Sequence, residues 1–257
     1  MNEHNIVAVS GRMSHGKDEL FKIAKKHFPD EVIKLSFADC LKKEVAEALV
    51  CRHHWEFKDY LFEIFEGIPY LNENVEAIFQ QTFLCPSPRG GAYRDYYAQG
   101  YDRSYAVKTL IEEMNHPELK KKFRLLLQFW GTEYRRRQDE NYWVNKFFEE
   151  LEKPQYMGLV VFVCDVRFPN EFESMHSQDA ITVRVIRTDI PVVSNEHLSE
   201  TALDGETRWK HVVYNDGTPN YEDAVLKVLN PVSKPAKAHN FKRPSSTYNL
   251  ETATVVR

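Results

Sequence analysis

The sequence predicts an α/β fold, with a mostly parallel sheet covered by helices on both faces. Three observations predict it. Short apolar runs recur along the chain, amphipathic helical patterns separate them, and a glycine-framed loop joins the first run to the first helix. The 257 residues are 42% hydrophobic, enough to bury one large domain, or one domain with an insertion.

The elements follow in order. Ile6-Val7-Ala8-Val9 reads as a buried strand and residues 16–27 as a helix. Val32 to Phe37 alternates as a second strand, and Asp39 is placed to cap a helix with Leu41, Val45, Ala48 and Leu49 on one face. Trp55 to Phe65 reads as helix ending near Gly67. Residues 85–105 hold Pro86, Pro88, Gly90, Gly91 and Gly100 among five tyrosines (Tyr93, Tyr96, Tyr97, Tyr101, Tyr105). This predicts a loop or flap inside an insertion near 66–105. Leu119, Phe123, Leu126, Leu127 and Trp130 follow helical spacing, with Gly131 where a C-terminal cap is expected. A helix over Tyr142–Leu151, a buried strand over Leu159–Cys164 and a helix around Asn170–Met175 come next. Strands over Ile181–Ile186 and Val212–Tyr214 precede a last helix carrying Tyr221, Ala224, Val225, Val228 and Leu229. The domain is therefore read as residues 1–230, and 231–257, without periodicity, as a disordered tail.

Composition excludes several classes. No apolar run approaches the roughly 20 residues of a membrane span, and the start of the chain lacks the basic and apolar regions of a secretory signal. Cys40, Cys51, Cys85 and Cys164 form neither a CxxC pair nor a zinc spacing, which fits a reducing, cytoplasmic setting. The net charge of -4 hides an asymmetry: the tail carries Lys234, Lys237, Lys242, Arg243 and Arg257 against Glu251 alone. The body is correspondingly acidic, which argues against a general nucleic-acid binder. An anionic ligand must then be held by a locally basic pocket.

Gly11-Arg12-Met13-Ser14-His15-Gly16-Lys17 supplies such a pocket. In a GxxxxGK loop between strand and helix, the glycines let amide N–H groups turn toward phosphate oxygens. The lysine reaches the β- and γ-phosphates, and the helix presents its positive end. Asp18 stands where Ser or Thr is usual. Asp165 closes the apolar run Leu159–Cys164, as the metal-binding acid of such folds does, and Arg167 follows two residues later. Read alone, Asp165 is equally a helix cap and Arg135-Arg136-Arg137 a solvated face; beside a phosphate loop they read as a metal ligand and a phosphate clamp. Trp130 belongs to the apolar stripe, while Phe37 and Trp143 suit either the core or a base-stacking platform.

Several of these segments resemble a family. Gly16-Lys17-Asp18 is similar to the loop end of the deoxynucleoside monophosphate kinases of tailed bacteriophages, where Asp follows the GK pair. Phe37-Ala38-Asp39-Cys40-Leu41-Lys42 resembles that family's FADPLK stretch. Residues 127–133, with Arg135 to Arg137 and then Trp143, resemble its LQxxGTExxR segment. Asp165-Val166-Arg167-Phe168-Pro169-Asn170-Glu171 resembles its DVRFxNE segment, and His197-Leu198-Ser199-Glu200 its HxSE element. These pieces keep their order over residues 6–203. Cys40 departs from the family's proline and Glu19 from its more frequent threonine, and the stretch around 66–105 does not align.

The resemblance implies a three-layer P-loop nucleotide-kinase fold that transfers the γ-phosphate of ATP to a deoxynucleoside monophosphate, with Mg²⁺. It also implies a possible homodimer, in the host cytoplasm if phage-encoded. It implies that Gly11, Arg12, Ser14, His15, Gly16, Lys17 and Asp18 hold ATP, and that Asp18 and Asp165 serve the metal. Asp18, Glu19 or neither stands in for the usual hydroxyl ligand. It implies catalytic roles for Lys17, Arg135, Arg136, Asp165 and Arg167, and an acceptor site made of Phe37, Asp39, Lys42, Gln128, Arg135, Trp143 and Glu171. The rival readings are another small-molecule P-loop kinase and a nucleotide-binding protein without catalysis.

Overall fold

The computed structural model describes residues 5–68, 71–84, 102–187, 189–190 and 198–229. The chain begins with β1 (Asn5–Ser10), α1 (Lys17–His27), β2 (Val32–Lys34) and α2 (Phe37–Val50). A helical stretch follows: α3 (His54–Ile64), α4 (Leu71–Phe79), α5 (Arg103–Asn115), α6 (Arg124–Gln128) and α7 (Tyr142–Leu151). The chain then returns to the sheet through β3 (Val160–Val163), α8 (Pro169–Ser177), β4 (Ile181–Ile186), α9 (Leu198–Thr201), β5 (His211–Tyr214) and α10 (Asn220–Leu229). Among the described residues no helix is long and apolar enough to cross a membrane.

The described strands form one five-stranded parallel sheet in the order β2-β3-β1-β4-β5. β1 runs down the middle, with Ala8 in register with Val163 of β3 on one side and Thr182 of β4 on the other. After β3 the chain crosses over β1 to build the other half of the sheet. Such a switch point opens a crevice at the carboxyl ends of the strands.

Alternation along β1 divides the core. Ile6 and Ala8 face the layer holding α2, α7 and α8, while Val7 and Val9 face Leu20, Ile23 and Ala24 of α1 and Val225 and Val228 of α10. All four residues of β3 are buried, as its continuous apolar run predicts.

Three predicted elements change shape. The second strand stops at Lys34, because Ser36 turns the chain and Phe37 already starts α2. Asp39 is therefore not the cap itself but lies inside the first turn, where its Oδ2 accepts the Ser36 N–H at 2.9 Å. The helix predicted through Trp130 is broken into a 3₁₀ turn (Lys120–Phe123), α6 and a π-helical segment (Phe129–Arg136). Gly131 is thus not a C-cap, and Arg135 and Arg136 end that segment rather than lying beyond a helix. A Cβ at Gly131 would sit 3.1 Å from Leu41 Cδ2, so its size serves packing against α2.

The predicted insertion contributes α4, a π-helical turn (Gln80–Leu84) and the start of α5, which Asp102 caps by accepting the Tyr105 N–H at 3.0 Å. The proposed flap lies outside the described residues from 85 to 101, as does the tail from 230 onward.

Candidate active site

The carboxyl ends of four strands converge on the glycine loop. β1 leads into it, β2 ends at Lys34, β3 leads through Cys164 to Asp165, and β4 carries Arg184. The loop's shape depends on its glycines. Gly16 has φ +102°, and a Cβ there would fall 2.1 Å from Asn215 Nδ2. A Cβ at Gly11 would fall 2.6 Å from the Val185 carbonyl oxygen. The residue after β5 and helix α10 complete the loop: Asn215 Nδ2 donates to the His15 carbonyl at 3.0 Å, and the Tyr221 hydroxyl donates to that of Gly16 at 2.9 Å.

Lys17 folds back over this loop and donates to the carbonyls of Gly11 at 2.5 Å and Arg12 at 2.7 Å. Burial, with Arg167 nearby, pulls its ammonium down to about 8. The apex is tied to the 198–204 segment. Glu200 accepts the Met13 N–H at 2.7 Å, and Asp204 accepts Arg12 at 2.6 Å and Arg184 at 2.7 Å. Arg184 also donates to Ser10 Oγ at 2.9 Å. His15 accepts the Arg187 N–H at Nδ1, and burial lowers its pKa.

Asp18, at the start of α1, pairs with Lys34 at 2.5 Å, and that lysine outweighs burial in lowering its pKa. Asp165 accepts the N–H groups of Phe37 at 3.1 Å and Ala38 at 2.8 Å. These are free donors at the start of α2, so the helix end and the carboxylate hold each other. Burial raises the Asp165 pKa despite those two bonds. Glu171 is buried and joins two arginines: its carboxylate pairs with Arg136 and accepts the Arg167 and Phe168 N–H groups at 2.7 and 3.1 Å. Burial lifts that carboxyl to about 7 in spite of Arg136. The Arg167 guanidinium pairs with Glu200, which closes a chain from Arg136 to the loop apex.

A family model described as deoxynucleotide monophosphate kinase matches residues 5–223. The chain belongs to that family. It is also similar to the uncharacterized protein ORF77 of Ictalurid herpesvirus 1 (strain Auburn), with 37% identity over 149 residues. That match covers 56% of this chain and 62% of the relative, so the chain spans less than two thirds of the relative's length.

For this member of the deoxynucleotide monophosphate kinase family, the structure sorts the expected site residues. Arg136, Glu171 and Arg167 form one bonded chain that reaches the loop apex through Glu200, while Asp18 pairs with Lys34, Lys17 bonds to loop carbonyls and Asp165 bonds to the start of α2. Phe37 and Trp143 do not serve as stacking platforms. Phe37 packs on Phe147 and Trp143 donates to the Gly131 carbonyl at 2.9 Å, both with their rings in the core. Asp39 accepts the N–H of the cap residue Ser36, Lys42 donates to Asn115 Oδ1 at 2.8 Å, and Gln128 lies half-buried on α6. Arg135 stands apart from Arg136 and turns toward α2 and α7. His197 lies outside the described residues.

Sequence reading passed over Lys34, Arg184, Asn215 and Glu44. Lys34 carried no clear signal, since the predicted strand ran on to Phe37 and only the structure ends it at Lys34, beside the crevice. Asn215 and Glu44 carried none, because each acts on residues far away in the chain.

Proposed function

We propose that the chain transfers the γ-phosphate of ATP to a deoxynucleoside monophosphate, giving the diphosphate and ADP. The observation that carries this reading is the gathering of Lys17, Asp165 and Arg167 at one sheet edge in a chain matched over residues 5–223 by the family model. A phosphate monoester has a second pKa near 6, so the acceptor is already a nucleophile at neutral pH and needs no general base. The protein's work is positioning and charge neutralisation.

In this reading the loop amides and Lys17 take the ATP phosphates. Lys17 exchanges its two carbonyl partners for phosphate oxygens, which favours its charged form. Arg167 and Arg136, each oriented by a carboxylate, stabilise charge on the transferring group. Among the described residues no three His, Cys, Asp or Glu side chains converge on a metal site. The donor set nevertheless suits Mg²⁺, which such sites hold through one or two carboxylates together with phosphates and water. Asp18 and Asp165 would be those carboxylates, and both have lone pairs beyond their present bonds. Mg²⁺, when bound, neutralises the phosphate oxygens.

The test is a coupled assay of ADP release with dAMP, dGMP, dTMP, dCMP and their ribonucleotides. Turnover with at least one deoxynucleotide is expected. ATP binding without turnover of any monophosphate would overturn the proposal.

A further inference from the structure

Glu44, on α2, has no part in the chemistry above, yet three side chains from two other elements converge on it. Its Oε1 accepts Trp130 Nε1–H at 2.8 Å and Arg135 Nε–H at 2.6 Å, and its Oε2 accepts the Tyr142 hydroxyl at 2.6 Å. The Arg135 guanidinium carbon lies 4.4 Å from the centre of the Tyr134 ring and 4.7 Å from that of Tyr142. The carboxylate therefore fixes the guanidinium at one nitrogen, while the two rings fix its plane.

This leaves the other end of the fork in view. Among the described residues neither terminal amino group of Arg135 has a hydrogen-bond partner, although the side chain is only 22% exposed. Arg136 and Arg167 differ, because carboxylates already take their terminal nitrogens. A half-buried guanidinium with four N–H donors unmet suits a ligand that presents acceptor oxygens or ring nitrogens in a plane. Its place along α2 limits which ligand. Glu44 is six residues beyond Ala38, whose N–H meets Asp165, or about 9 Å along the helix axis. Arg135 thus lies away from Asp165, the carboxylate read above as a metal ligand.

We infer that Glu44 is the positioning residue for Arg135: it holds the guanidinium between Tyr134 and Tyr142 so that both terminal amino groups face the acceptor nucleotide. This rests on the reading that the chain phosphorylates a mononucleotide.

The experiment is a steady-state comparison of the full chain with Glu44→Gln, Arg135→Lys and the double variant, with both substrates varied. Glu44→Gln should raise the KM for the accepted monophosphate about tenfold, the loss of one charge-assisted hydrogen bond, with kcat and the KM for ATP little changed. The double variant should be no worse than Arg135→Lys, since Glu44 acts through that arginine. Tyr142→Phe keeps the ring and removes one hydroxyl; it should move the same KM less, and it serves should Glu44→Gln fail to fold. An unchanged monophosphate KM in the folded variants, or fully additive effects in the double variant, would overturn the inference. A parent protein that turns over no monophosphate would instead overturn the reading beneath it.

Discussion

The two layers that sandwich the sheet hold their charged groups by different means. On the side of α1 and α10, a thin apolar layer supports a loop whose shape is set by backbone contacts: Gly16 under Asn215, Gly11 against Val185, and Lys17 folded onto two carbonyls. On the side of α2 to α8, the layer is thicker, its helices are interrupted by 3₁₀ and π segments, and its arginines are aimed by carboxylates. Charge on the first side is nearly independent of the core. Charge on the second is built into it. Substitutions should therefore separate chemistry from stability on the loop side and couple them on the helical side.

The largest effect is expected at Lys17. Lys17→Ala should lower turnover on the order of 10³-fold, the scale of losing one transition-state donor. The thermal midpoint should stay near that of the parent, since the partners given up are loop carbonyls. Full activity would show that the loop is not catalytic, and a collapse of stability would break the contrast between the layers.

Arg136→Ala is the counterpart on the helical side. It strands the carboxylate of Glu171, which is 2% exposed, and should destabilise the chain by about 3 kcal/mol in denaturant titrations. Adding Glu171→Gln should recover part of the loss, because the stranded charge is then gone. Equal stability of the parent and Arg136→Ala would mean that the buried pair contributes nothing to the fold.

The smallest effect is one of pH. Lys17 in the free protein is held down to about 8 by burial, so it is charged below that pH and neutral above it. The kcat/KM for ATP should fall by about tenfold per pH unit on the alkaline side. The kcat should hold to higher pH, because bound polyphosphate favours the charged lysine. A kcat/KM that stays flat from pH 7 to 10 would show that Lys17 is not needed in its charged form.

Legibility followed the same division. Tyr142–Leu151 and Ile181–Ile186 appear in the structure with the predicted bounds, since one-sided burial writes its period into neighbouring residues. The loop from Gly11 to Lys17 was legible as a tight strand-to-helix connection because its two glycines and lysine stand at a fixed local spacing. α5 was not anticipated, although Ala106, Leu110 and Met114 form a buried stripe, because its remaining positions are polar and a Pro- and Gly-rich stretch precedes it. The predicted helix ends at Trp130 with Gly131 as its cap, whereas the winding continues as a π-helical segment to Arg136: the apolar stripe stops at Trp130, and the packing of Gly131 against Leu41 and Trp143 is not written in the local pattern.

By itself, then, the sequence determined the parallel α/β class, the glycine loop between the first strand and the first helix, and the acid that follows the third strand, since each rests on a short-range pattern of burial or spacing. Tertiary structure alone decided that Asp18 meets Lys34, that Phe37 and Trp143 belong to the core, and that adjacent arginines part, Arg136 to Glu171 and Arg135 to Glu44. The three ion pairs join residues 16 to 91 positions apart, and whether a buried charge orients a neighbour or faces a ligand depends on which partner the fold brings within hydrogen-bond distance.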